Sequence, residues 1–144
     1  MTGFAQNITR YAADSGSIAM NNIMGVLLNG IAQLEYDRDK LLPEHQLAYL
    51  DRMDAKMDGG ILIGNETVQY PDLNQRTQFA AANLVHALQT ADEAMAAAMC
   101  SYLAIRLPDL KQVRIEDADG NVTVEFVFDE TYRKQVVVDF KPLH

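Results

Sequence analysis

Apolar side chains recur at helical spacing through the first two thirds of the chain and then switch to strict alternation. Met20, Met24, Leu27, Ile31 and Leu34 step by four, three, four and three, which keeps them on one helical stripe, and Ile23 and Leu28 widen it. This predicts a helix from Ile18 to about Asp37, with Ser17 positioned to cap its free amides. Gly25 and Gly30 would each weaken that helix by up to about 1 kcal/mol relative to Ala, and they read as places of close helix packing. Upstream, Phe4, Ile8 and Tyr11 also share a helical spacing, but Gly3 and Ser15-Gly16-Ser17 limit them to a short helix or an arm on the body.

Leu42-Pro43-Glu44 opens a second helix, with Pro at the first position, where its missing N–H costs nothing, and Glu44 favoured by the helix dipole. It runs to Asp58, stops at Gly59-Gly60 and turns Leu47, Leu50, Met53 and Met57 inward. Ile61–Ile63 and Thr67–Tyr70 flank Gly64-Asn65 and predict a small hairpin. Asp72 followed three residues later by Gln75 is a capping-box arrangement, so a third helix runs to about Gln89 with Leu73, Ala80, Ala81, Leu84 and Leu88 inward. Thr90-Ala91-Asp92-Glu93 reads as a second capping box, opening a helix to Leu107 with Met95, Met99, Tyr102 and Leu103 in its stripe. Alanines at 80–82 and 96–98 let two helix axes approach closely and favour an antiparallel pair.

Beyond Pro108 the period is two. Val113 and Ile115 alternate with polar residues, as do Val122, Val124, Phe126 and Phe128, and then Val136, Val138 and Phe140. Asp117 to Asn121 is turn chemistry. The expected fold class is α+β: four to five N-terminal helices packed on one face of a C-terminal three-stranded antiparallel β-meander. With 144 residues the chain is expected to be a single domain, residues 1–108 mainly helical and residues 109–144 forming the sheet.

Composition narrows the function. A hydrophobic fraction of 49% with 22% charged residues is that of a folded globule. Twelve Lys and Arg against twenty Asp and Glu give a net charge of −8, which argues against a nucleic-acid-binding face and against docking on anionic lipid. No apolar run approaches the ~20 residues of a membrane span. Cys100 is the one cysteine, so no intrachain disulfide forms, and the opening residues lack the basic and apolar regions of a secretory signal; a reducing cytoplasmic location is the expectation.

The chemistry-bearing residues do not form a motif. His45, His86 and His144 have no second His three or four residues away, so no helix offers a two-His metal face. His86 sits beside an Ala-rich stripe and reads as a partly buried structural histidine. Cys100 has no basic residue within one turn and reads as a small core residue. Glu116 to Asn121 resembles a calcium loop only until the twelfth position from Asp117, which is Phe128 rather than a bidentate Glu. No phosphate-binding loop or nucleophile elbow is present in the sequence. No catalytic residue, cofactor or metal is therefore expected.

One charge pattern stands out. On the helix from Pro43, Glu44, Asp51 and Asp58 share a stripe, Asp54 lies at its edge, and His45, Arg52 and Lys56 form a separate basic stripe. The acidic row reads as an ordinary solvated face, as a docking ridge for a basic protein partner or, with no histidine at a helpful offset, as a carboxylate metal site. The leading function class is thus a non-catalytic acidic interaction or regulatory protein. The alternative is a small-molecule-binding protein or enzyme with a pocket between helices and sheet, lined by His86, Cys100 and Tyr102. A homodimer is also expected, because a three-stranded meander leaves open edges; its contact would use the last strand or the face with Val127, Val137 and Asp139.

Overall fold

The computed structural model describes the backbone of residues 8–10 and the whole of residues 22–134. Its elements, in chain order, are β1 (Ile8–Arg10), β2 (Ile23–Leu28), β3 (Ile31–Asp37), α1 (Glu44–Asp58), β4 (Ile61–Ile63), β5 (Glu66–Val68), α2 (Leu73–Gln89), α3 (Glu93–Arg106), β6 (Gln112–Ala118) and β7 (Asn121–Val127). The large sheet has the order β1-β3-β2-β6-β7, and β4 and β5 form a separate two-stranded ribbon. β6 runs parallel to β2, while the other neighbours are antiparallel. A parallel pair requires a long crossover, and here the helices and the small ribbon supply it.

This architecture corrects the expected fold. Among the described residues there are three helices, not four to five, and the sheet is mixed rather than a three-stranded meander. Of the stretch from Ile18 to Asp37, expected as a helix, the described part from Ile23 to Asp37 forms the β2–β3 hairpin. Its turn is Asn29-Gly30, with φ of 50° and 82°. Positive φ at both central residues is what a tight hairpin turn demands, and Asn-Gly meets it at little steric cost. The helical spacing was produced by the turn and a β-bulge. Val26 pairs with Leu34 but Leu27 pairs with Ala32, so Gln33 is an extra residue. Met24 and Val26, then Leu34 and Tyr36 opposite them, face the helices and are buried. In the first segment, Ile8–Arg10 forms a strand on β3 rather than part of a helix.

The helical region matches the sequence pattern more closely, with two shifts at the caps. Pro43 is the N-cap of α1 rather than its first residue. Asp72 and Gln75 form the reciprocal capping box of α2. Thr90, expected to cap the next helix, instead ends α2. Ala91 then takes φ of 57°, its N–H bonds the Leu88 carbonyl, and the Asp92 N–H bonds the Ala87 carbonyl. That is a Schellman ending. Asp92 is the true cap of α3, accepting from the Met95 N–H. α2 and α3 pack against each other, and α3 is buried along Ala98–Ala104.

The β6–β7 hairpin forms as its alternation predicts, around Asp119-Gly120. Val113 and Ile115 are buried beneath the helices, whereas Val122 and Val124 stay exposed. The expected third strand, with Val137 and Asp139, lies outside the described residues. The sheet is not dry on one face alone. Tyr132 packs on the opposite face with Leu27 and Ala32, its ring lying over the bare Cα of Gly25. The Tyr132 hydroxyl donates to Glu35 Oε2 at 2.5 Å, Lys134 Nζ lies 3.2 Å from Glu35 Oε1, and Gln112 Nε2 donates to the Glu130 carbonyl at 2.9 Å. On that face Val127 is only 4% exposed, so it is not the open interface patch expected of it.

Candidate functional site

Three of the four carboxylates of the acidic row of α1 are paired with arginines of α2 and α3. Asp54 accepts hydrogen bonds from the Tyr102 hydroxyl at 2.5 Å, Arg76 Nη1 at 3.1 Å and Arg106 Nε at 2.9 Å. Arg106 also reaches Asp51 at 3.0 Å, and Arg76 pairs with Asp58. Burial by itself would raise the Asp54 carboxyl, but the hydrogen bonds from Tyr102 and Arg76 and the Arg106 charge outweigh it and hold the group below the usual carboxylate range. Tyr102 is pushed upward, first by burial and then by its bond to the Asp54 carboxylate. The structure therefore gathers Asp51, Asp54 and Asp58 around two arginines. Glu44 is exposed and forms no ion pair with another described residue.

His86, Cys100 and Tyr102 do not converge on a shared pocket. His86 is exposed, not half buried as expected. Tyr102 is committed to Asp54. Cys100 is fully buried where the Arg38 charge reaches it, and burial pushes its thiol up to about 12 against that charge. Arg38 itself is held by the carbonyls of Ala104, Leu107 and Leu110 at 2.7, 3.2 and 2.7 Å. These contacts of Arg38 brace the C-terminal end of α3.

A concave feature lies elsewhere among the described residues, between the three helices and the start of β4. It is a groove of about 270 Å³, lined by Met53, Lys56 and Met57 from α1, Phe79 and Asn83 from α2, Met95 and Met99 from α3, and Gly60 with Ile61. Each helix contributes a pair at positions i and i+4, the spacing that stacks two side chains on one helix face. Four of the seven methionines of the chain line this groove. Methionine is unbranched and polarizable, so such a wall adapts its shape to an occupant at low strain. The polar lining is sparse. Asn83 spends one amide hydrogen on the Phe79 carbonyl at 2.9 Å, and Lys56 has no ion-pair partner among the described residues. Among those residues no group of three His, Cys, Asp or Glu is arranged to hold a metal ion.

Sequence reasoning assigned Met53, Met57, Met95 and Met99 to core stripes. The available signal was the doubled Met pair at four-residue spacing on two separate helices, next to a basic residue. A stripe pattern reports which residues leave water, not whether the space between the helices is filled.

Compared with protein-family models, curated proteins and solved structures, the chain matches none. Among the described residues no helix is long and apolar enough to cross a membrane.

Proposed function

We propose that this is a non-catalytic binding protein that holds an apolar group in the methionine-lined groove. The observation that carries the reading is the convergence of four methionines and Phe79 on one unfilled space. At about 270 Å³ the groove sits near the lower edge of the ~300–1,000 Å³ typical of ligand pockets, so the occupant is small or is one segment of something larger. The reactive groups support binding over catalysis. The Cys100 thiol is buried and held protonated, the Tyr102 hydroxyl is tied to Asp54, and neither lines the groove. A basic protein partner on the acidic row has weaker support, because Asp51, Asp54 and Asp58 already face Arg76 and Arg106.

Methyl-labelled methionine gives a direct test. Titration with octanol should shift the methyl resonances of Met53, Met57, Met95 and Met99 and leave that of Met24, buried in the sheet core, in place. No shift in the four groove methyls, or an equal shift of Met24, would remove the proposal.

A further inference from the structure

We infer that the groove takes an anionic amphiphile, a single aliphatic chain ending in a carboxylate-like head that meets Lys56; this rests on the groove being a binding site at all. Lys56 is the one charged side chain in its lining. It is exposed yet lines the groove, the arrangement of a lysine that lays its methylenes on an apolar wall and keeps its ammonium at the mouth. Among the described residues Lys56 has no carboxylate partner, a state it shares with Arg38, Arg52 and Lys111. Arg76, Arg106, Arg114 and Lys134 each have one. The positions one helical turn from Lys56 explain the difference. They are Arg52, Met53, Gly59 and Gly60, none of them acidic. The second amide hydrogen of Asn83 is the other donor available to a head group.

The overall charge of −8 acts against an anion at long range. Beyond about 8 Å that field is screened at physiological salt, and at contact the nearest charge decides. Net charge alone would select a cationic amphiphile, so the sign of the preferred head group separates the local reading from the global one.

The test compares octanoate, octanol and octyltrimethylammonium by calorimetry and by methionine-methyl resonances, on the wild-type chain and on Lys56→Ala, Lys56→Glu and Lys56→Arg. Octanoate should bind about fivefold more tightly than octanol, the range of an exposed ion pair. Lys56→Ala should abolish that margin, Lys56→Glu should invert it towards the cation, and Lys56→Arg should keep it. Across chain lengths, affinity should rise about fourfold per methylene until the groove is full. If octanol or the cation binds the wild type as well as octanoate while the four groove methyls shift, the head-group inference is overturned and the groove reading stands. An octanoate preference that survives Lys56→Glu also overturns it. If no ligand moves the groove methyls, the groove reading itself has failed.

Discussion

Asp54 ties three helices together through one carboxylate, since its partners Tyr102 and Arg106 lie on α3 and Arg76 on α2. Asp54→Asn should therefore lower stability by roughly 1.5–3 kcal/mol, the range of hydrogen bonds to a charged group, read by urea unfolding at pH 7. The sign of the pH dependence follows from the depressed carboxyl. Folding gains from its ionised form above the ordinary carboxylate range near pH 4, and that gain is lost as pH falls through the lower folded value. The acid limb of the melting-temperature profile should be shallower in Asp54→Asn than in the wild type. At this scale the sequence was partly legible. It showed Asp54 at the edge of an acidic row and Cys100 as a core residue, and both stand. It did not show Arg76 and Arg106 beneath that row, because they sit 22 and 52 residues away along the chain.

Turns and caps carry the element scale. Ala91 holds a left-handed conformation that costs an L-residue roughly 1–2 kcal/mol and a glycine almost nothing. Ala91→Gly should stabilise the protein by about 0.5–1 kcal/mol once the extra chain entropy of glycine is set against that relief, measured as a higher denaturation midpoint. Gly25 makes the opposite case. A Cβ there would enter the Tyr132 ring, so Gly25→Ala should cost about 1–3 kcal/mol by overpacking. In a Tyr132→Ala background most of that cost should vanish, which a double-mutant cycle reads directly. The Asp72–Gln75 box was visible because both partners are three residues apart. The β2–β3 hairpin was obscured because a bulge shifted the alternation into helix-like spacing. Asn29-Gly30 was the local signal that distinguished the two, and it outweighs the periodicity.

Across the whole molecule, coverage sorts stability. β2 is paired on both edges, by β3 and β6, with helices on one face and Tyr132 on the other. Its central amides should be among the slowest to exchange with deuterium, and those of the β4–β5 ribbon among the fastest. Equal protection of the two would contradict this layering. Charge behaves in the same divided way: the net value of −8 describes the far field, while ion pairs with Arg76 and Arg106 set the potential at the acidic row. Composition reports the first and is silent on the second.

The sequence by itself determined the features built from neighbours: three amphipathic helices, the Asp72 cap, the β4–β5 and β6–β7 hairpins, and the excess of negative charge. These depend on contacts a few residues apart, where backbone geometry leaves few options. Tertiary structure decided the parallel β2–β6 pairing, the second covered face of the sheet, the partly neutralised acidic row and the open space between the methionine pairs. Each of those depends on which distant segments meet. Periodicity tells each element which side to hide from water, but it does not name the partner that hides it.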